Sequence, residues 1–218
     1  MHFTPPGKGR RYGGMSADER RAERRTRLLD TGVELFGTLG FAGTTIKALC
    51  AASGLKPGYF YEQFASREDL LVAVYDRHVG FVLERVRAAV DHAPSDLTSR
   101  LEAGLRTFIA HALADERLAQ INYFEMVRVS ADADRRRREV LGIYADFVAE
   151  QLCELGPDDP EAHASARLYA VALVGAVDGL IVDALLKGTG HPPQDAIVST
   201  VLRAFSAILG DPAAALAS

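Results

Sequence analysis

Apolar residues recur at intervals of three and four along most of this 218-residue chain, with charged residues between them. That spacing gathers the apolar side chains on one face of a helix, whereas strands would show strict alternation. The pattern predicts an all-α fold of about nine helices, near residues 17–39, 44–53, 56–64, 67–90, 95–114, 116–129, 133–155, 160–187 and 193–209. Glycine and proline mark several of the boundaries, as at Gly40 and Gly54.

The stretch from Thr44 to Phe64, TTIKALCAASGLKPGYFYEQF, predicts two short helices joined by a tight turn. The first helix carries one apolar stripe, formed by Ile46, Leu49 and Cys50. Gly54 permits the left-handed backbone of a sharp turn, and Phe60 and Phe64 place two large apolar groups on one face of the second helix. This arrangement is typical of a helix-turn-helix, whose second helix enters the major groove of DNA, although plain helical bundles contain it too.

A wider pattern surrounds this stretch. Between Leu28 and Val74 stand Leu35-Phe36, Gly40-Phe41, Thr44-Thr45, Gly54, Gly58, Phe60-Tyr61, Phe64 and the run from Ser66 to Leu71. In these elements the chain resembles the amino-terminal part of the tetracycline-repressor-like (TetR) family. The resemblance implies an operator-binding dimer, a helical body that binds small, often apolar or cationic molecules, and dimerisation through the last two long helices.

The residues predicted to contact DNA are Thr44, Thr45, Lys56, Pro57, Gly58, Tyr59, Tyr61, Gln63 and Arg67. Lys56 and the tyrosine hydroxyls suit phosphates and base edges, and Gly58 allows close backbone approach. Arg67 is included because the family pattern has a basic residue there. Glu62 departs from the pattern: its carboxylate repels phosphate, unless it accepts a hydrogen bond from a cytosine amino group or points aside.

The net charge of −4 is distributed unevenly. Residues 1–67 hold 11 Lys and Arg against 6 Asp and Glu, whereas residues 68–218 hold 14 against 23. A basic end on an acidic body is typical of a DNA-binding unit carried by a separate domain. We therefore predict a disordered basic tail at 1–15, a helix-turn-helix domain at 16–66, a connecting helix at 67–90 and a helical ligand-binding and dimerisation domain at 91–218. The tail either reaches an adjacent minor groove through its basic residues or does nothing specific.

Aromatic and polar side chains on the predicted fifth to seventh helices form the candidate ligand site. They are Phe108, His111, Asn122, Tyr123, Glu125, Met126, Tyr144 and Phe147. Each of them also fits an ordinary core, and Glu125 fits an internal ion pair, because a buried carboxylate needs a partner. Together with the family resemblance, they predict a mostly apolar pocket for a small-molecule effector.

The predicted eighth helix is apolar almost all round from Leu168 to Leu186, so it must pack against two partners. One partner is its own core, and the other is a second subunit. The predicted homodimer interface consists of Val174, Asp178, Ile181, Val201, Phe205 and Ile208, in a four-helix bundle. Because Asp178 and Asp183 interrupt the apolar run, we interpret this helix as buried in protein and not as a membrane span.

The chain lacks the motifs GxGxxG, GxSxG, HExxH and CxxC. His111 and Asp115 have metal-ligand spacing without further ligands, and Cys50 and Cys153 stand alone. No apolar run near the start resembles a signal peptide. We therefore predict a cytoplasmic protein with reduced cysteines, without enzyme activity, cofactor or metal site.

These features predict a ligand-responsive transcriptional repressor that binds a pseudo-palindromic double-stranded DNA operator as a dimer and is released by a small-molecule effector. The alternatives are a ligand-independent DNA-binding regulator or a protein-interaction module of the same fold, and a helical enzyme with a buried titratable cluster. A cavity of roughly a few hundred Å³ in the body would favour a ligand sensor, and a filled core would favour a ligand-blind module.

Overall fold

The computed structural model describes residues 16–155, 160–188 and 192–208, except for the side chains at 161, 162, 207 and 208. Within these ranges the regular structure is helical, without strands. The elements are α1 (Ala17–Gly43), α2 (Ile46–Ser53), α3 (Pro57–Tyr61), α4 (Arg67–His92), α5 (Leu97–Leu113), α6 (Glu116–Gln120), a π-helical turn (Ile121–Glu125), α7 (Met126–Arg128), α8 (Ala131–Leu155), α9 (Pro160–Lys187) and α10 (Gln194–Ile208). With Glu116–Arg128 taken as one interrupted helix, the described ranges contain nine helical segments, which confirms the all-α prediction. Below, residues 16–66 are called the head and residues 67–208 the body.

Local sequence fixes where the head helices begin and end. At the start of α1, the Ser16 hydroxyl accepts a hydrogen bond from the Glu19 backbone N–H at 3.1 Å, and the Glu19 carboxylate accepts one from the Ser16 backbone N–H at 2.6 Å. Gly40 has a φ of 71°, so the regular helix stops there as predicted, and one further turn extends to Gly43. Gly54 ends α2 in the left-handed conformation, with a φ of 66°.

One hydrophobic cluster runs from the head into the body. In the head it contains Phe36, Leu49 and Phe60, each with 0% of its surface exposed. Leu70, Leu71 and Val74 of α4 continue this cluster, as do Ile121 of the π turn and Met126 of α7. A second cluster joins α5, α8, α9 and α10 around Ile109, Ala170 and Ile181. The head is therefore packed directly against the helices that precede α8.

Helix α9 has an inner and an outer apolar face. Its outer face carries Leu168, Val171 and Leu186, which are 71%, 50% and 71% exposed. Gly175 and Gly179 lie in open space on the same helix. In the described ranges, His163–Lys187 is the one segment long and apolar enough to cross a membrane by length and composition, which a helix of a soluble protein can also satisfy.

The predicted dimer residues whose side chains the structure describes face the interior of the protomer, so for these residues the prediction is wrong. Ile181, Val201 and Phe205 are at most 4% exposed and pack in the core of the protomer itself. Val174 and Asp178 line internal cavities of the body. The Ile208 side chain lies outside the described residues. Because α9 is apolar on every side, helical periodicity alone does not distinguish its inner face from its outer face.

Candidate nucleic-acid interface and ligand cavity

Helix α3 presents a row of exposed residues to solvent. Pro57 stands in its first turn, where a proline needs no hydrogen-bond donor, and the fully buried Phe60 anchors it to the core. Tyr59 and Tyr61 are 39% and 58% exposed, and nothing lies within 4 Å of the position of a Cβ at Gly58. Lys56, Pro57 and Thr45 are exposed beside them. The Thr45 hydroxyl also caps α2 by accepting a hydrogen bond from the Ala48 N–H at 3.1 Å.

Arg24 of α1 packs against the same helix. Its guanidinium lies 4.6 Å from the centre of the Tyr59 ring, and its Nη2 atom lies 3.6 Å from Glu62 Oε2. Glu62 therefore faces a cation of its own chain, which reduces its repulsion of a nearby phosphate. The sequence did not single out Arg24 among the arginines of α1. Arg24 lies four residues before the buried Leu28, so both residues are on the same face of α1. This spacing is the sequence signal that could have distinguished Arg24 from the other arginines.

Two predicted DNA contacts are used inside the head. Thr44 is fully buried, and its hydroxyl donates to the Gly40 carbonyl at 2.8 Å, so the prediction that its side chain contacts DNA is wrong. Arg67 donates to the carbonyls of Phe41 and Thr44 and stacks over the Phe41 ring at 4.4 Å. A phosphate contact from its remaining donors stays a prediction, as does a contact from the half-buried Gln63.

Two adjoining cavities lie in the body. The larger, of about 70 Å³, lies between α4, α5, α8 and α9 and has a mostly apolar lining that includes Val86, Leu105 and Val177. The smaller, of about 40 Å³, has a more polar lining: His78, Asn122, Tyr123, Arg137 and Asp178. Phe108, Leu141, Tyr144 and Asp178 border both cavities. Below, they are called the apolar cavity and the polar cavity. Each volume is below the roughly few hundred Å³ that would favour a ligand sensor, yet the core is not filled, so only a slender ligand would fit.

Five of the eight predicted ligand residues line these cavities: Phe108, Asn122, Tyr123, Tyr144 and Phe147. His111 and Met126 do not. His111 instead packs edge-on against Phe81, with ring centres 5.3 Å apart, and Met126 is fully buried in the cluster shared with the head. Their predicted ligand contacts are therefore not supported by the geometry.

Glu125 is also absent from both cavity walls, because it contacts the head. Its Oε2 atom accepts a hydrogen bond from the Phe41 N–H at 2.8 Å, and its Oε1 atom accepts one from Gln120 Nε2 at 2.9 Å. A Cβ at Gly40 would lie 3.2 Å from Oε1, so the glycine leaves room for the carboxylate. The prediction of Glu125 as a ligand residue is wrong.

The π turn explains this error. In a regular helix, Asn122 and Glu125 are three positions apart and share a face. The π turn has more residues per turn, so it rotates the two side chains apart. As a result, Asn122 lines the polar cavity while Glu125 binds the last turn of α1. Periodicity of apolar residues contains no indication of such a turn.

An ion pair closes the wall between α8 and α9. Arg137 Nη2 lies 2.7 Å from each oxygen of Asp178, and the two side chains are 14% and 25% exposed. The sequence did not single out Arg137, because it stands in a run of arginines at 135–138. Arg137 nevertheless shares a helix face with the buried Ala133 and Val140. Among the described residues, no cluster of three potential metal ligands is found.

Burial favours the uncharged form of the other titratable groups of the polar cavity. It raises the pKa of Tyr123, Tyr75 and Tyr144 above the ordinary tyrosine range. It also lowers the pKa of His78, and the neighbouring His111 lowers it further. Near neutral pH the polar groups that line this cavity are therefore uncharged, except for Arg137 and Asp178, which pair with each other.

Comparison with known proteins finds similarity in the head and in the whole fold. Residues 28–74 match the model of the bacterial regulatory proteins of the tetR family. The HTH-type transcriptional regulator YerO of Bacillus subtilis is 32% identical over 65 residues, a match that spans 30% of this chain and only 22% of YerO. The HTH-type transcriptional activator FasR of Mycolicibacterium smegmatis is 28% identical over 174 residues, covering 78% of this chain and 74% of FasR.

A solved structure shares the fold over most of the chain. The transcriptional regulator FadR from Bacillus subtilis, in complex with stearoyl-CoA, superimposes with a TM-score of 0.72 at 16% identity. The superposition covers 85% of this chain and 98% of FadR. At this identity, the likeness establishes the common fold.

Proposed function

We propose that this chain, which belongs to the TetR family of bacterial regulatory proteins and is a transcriptional regulator of that type, is a repressor. In this proposal it binds a pseudo-palindromic operator as a homodimer. The exposed row on α3, from Lys56 to Tyr61, carries this proposal, because it offers hydroxyls and a cation on a rigidly anchored helix. The basic excess of residues 1–67 supports it by attracting phosphate. We also propose that the protein works in the cytoplasm.

Selection of bound duplexes from a random pool tests operator binding. We expect an inverted repeat, with half-sites spaced by about one helical turn or a multiple of it. Tyr61→Ala should weaken binding of the selected duplex by about 1–3 kcal/mol, since it removes a base or phosphate contact. Phe81→Ala is the matched control, because Phe81 is an exposed aromatic residue of the body and should leave affinity unchanged. Recovery of unselective binding alone would contradict the proposal.

The homodimer is proposed to form through the outer face of α9 instead of the residues first predicted. Leu168, Val171 and Leu186 line up at helical spacing with Gly175 and Gly179, whose lack of side chains permits close helix packing. Val171→Glu should therefore produce monomers in sedimentation equilibrium. Ile143→Glu, at a 39% exposed site on α8, is the matched control and should leave the dimer intact. Dimers in both variants would refute this interface.

A small-molecule effector is proposed to act through the two cavities. FadR, which shares the fold, is solved with stearoyl-CoA, a molecule with a long apolar chain. The apolar cavity here suits a slender apolar group, and it adjoins the polar cavity that the π turn lines. We propose that ligand entry shifts the π turn, weakens the Glu125 to Phe41 hydrogen bond and changes the spacing of the two heads.

Activation is the second candidate function. FasR, similar over 78% of this chain, is an activator. Transcription from a promoter that carries the selected operator distinguishes the two roles. A repressor lowers transcript levels when the protein is added, and an activator raises them.

A further inference from the structure

Among the described residues of the body, Asn122 is the one buried side-chain amide that borders a cavity and has an oxygen without a hydrogen-bond partner. It is 9% exposed, and its Oδ1 atom accepts no hydrogen bond there. A buried acceptor without a donor costs free energy, so a position that keeps one usually has a use for it. Its location in a π turn agrees with this, because π turns are frequent at functional sites.

The surroundings of Asn122 have no uncompensated charge. Arg137 and Asp178 neutralise each other at 2.7 Å. His78 is shifted toward its neutral form by burial, and the tyrosines of the wall are held neutral in the same way. A charged ligand group placed there would lose its hydration without gaining a free counter-ion.

Beyond Phe108 and Tyr144, the polar cavity adjoins the apolar cavity. These two rings meet edge-to-face, with centres 5.1 Å apart, and border both spaces. One molecule with a small polar end and a slender apolar tail therefore matches both spaces. A donor on the polar end would satisfy the unpartnered Oδ1 atom of the Asn122 carboxamide.

We infer that the effector is an uncharged amphipathic molecule, an alcohol or primary amide with a slender aliphatic tail, whose O–H or N–H group donates to Asn122 Oδ1. This inference rests on the proposed function and assigns the ligand class of its effector site. The tail occupies the apolar cavity, between Phe147 and Val174. The head group meets neutral partners in the polar cavity.

Arg100 is the competing anchor. It borders the apolar cavity, and its Nε atom is buried without a partner among the described residues. Its Nη1 atom, however, donates to Gln151 Oε1 at 3.0 Å and lies 3.6 Å from Glu154 Oε1. Its charge is thus already balanced, and a carboxylate ligand would have to compete with Glu154. A carboxylate probe separates the two anchors.

Three probes of similar size test the inference on the full chain: n-octanol, its ether isomer heptyl methyl ether, and octanoate. Binding is measured by calorimetry at neutral pH. The ether keeps an oxygen and the apolar bulk but has no donor. We expect n-octanol to bind about fivefold to tenfold more tightly than the ether, which corresponds to one hydrogen bond. Octanoate should bind more weakly than n-octanol.

Asn122→Leu, of similar volume, provides the matched variant. It should bind n-octanol and the ether equally and should melt at a higher temperature than the wild type, because an unpartnered polar group is removed. A lower melting temperature together with an unchanged octanol preference would mean that Asn122 is structural, and would overturn the inference. Octanoate binding that equals octanol binding and is lost in Arg100→Met would overturn it as well.

The three probes distinguish a wrong ligand class from a wrong effector site. If the ether or octanoate binds as tightly as n-octanol, the effector site stands and the ligand class assigned to it is wrong. If none of the three probes binds, the cavities are not an effector site, and the inference fails together with that part of the proposed function. Selective octanol binding that changes operator affinity supports both.

Discussion

The head and the body differ in how completely they are packed. In the head, the core residues Phe36, Leu49 and Phe60 are fully buried, and the Thr44 hydroxyl fixes the turn between α1 and α2 with help from Arg67 at the start of α4. The body contains the adjoining apolar and polar cavities and a π turn. This difference fits the proposed function, in which close packing holds α3 rigidly and ligand response uses a region that gives up some packing.

The largest expected effect comes from truncating an aromatic residue in each region. Phe60→Ala should lower the free energy of unfolding by about 3–5 kcal/mol, because the ring is fully buried in a close-packed core. Phe147→Ala should cost less than about 2 kcal/mol, because that ring borders an existing cavity and is half-buried. Urea denaturation measures both values. Equal losses would break the distinction between the two regions.

Two arginines of α8 compare a largely buried ion pair with an exposed one within the body. Arg137→Met should cost about 2–3 kcal/mol, because it leaves the largely buried Asp178 carboxylate without its cation. Arg135→Met should cost less than about 0.5 kcal/mol, since its pair with Asp132 is well exposed. Thermal and urea denaturation of the two variants provide the measurement. Similar losses would mean that the ion pair at the cavity wall contributes nothing particular.

The contact between the two regions gives an effect of intermediate size. Glu125→Leu removes the acceptor of the Phe41 N–H and should cost about 1–3 kcal/mol. Operator affinity in this variant should no longer respond to a cavity ligand. Glu116→Leu, at an exposed site on α6, is the control. Retention of the ligand response in Glu125→Leu would show that the π turn does not carry it.

The smallest effect is a pH dependence of stability from His78. Burial holds its pKa in the folded protein below the ordinary value of 6.5, so the unfolded chain binds the proton more readily. The contribution of uncharged His78 to the free energy of unfolding is fully present above about pH 6.5. It is lost as the pH falls toward the pKa of His78 in the folded state. Comparing the melting temperature of the wild type and His78→Asn across this window isolates the contribution. Identical slopes would contradict it.

The head could be predicted from the sequence because its turns need particular residues. Gly40 and Gly54 both adopt positive φ angles, and Ser16 and Ser66 both form capping boxes. These residue choices are local, so they can be recognised without the fold. The exposed row on α3 followed from the same reasoning, since Phe60 and Phe64, four positions apart, mark the buried face and leave Lys56, Gly58 and Tyr61 facing away from the core.

The body was less predictable because its features depend on tertiary packing. Helix α9 is apolar on all sides, so Ile181 was assigned to the dimer interface although it lies in the protomer core. The π turn at Ile121–Glu125 leaves no trace in the apolar period, so Glu125 was assigned to the ligand site. Arg137 stands in a run of arginines, and its helix face, shared with the buried Ala133 and Val140, together with its pairing with Asp178, distinguishes it.

Amide hydrogen exchange on the full chain tests whether a rigid head is joined to an adjustable body through the π turn. We expect the amides of Leu49 and Phe60 to exchange only through global unfolding, and those of Ile121–Glu125 to exchange at least about tenfold faster through local opening. Binding of n-octanol should further change exchange at Phe41, whose N–H donates to Glu125. Equal protection of the head and the π turn, unchanged by ligand, would show that the π turn does not couple a rigid head to an adjustable body.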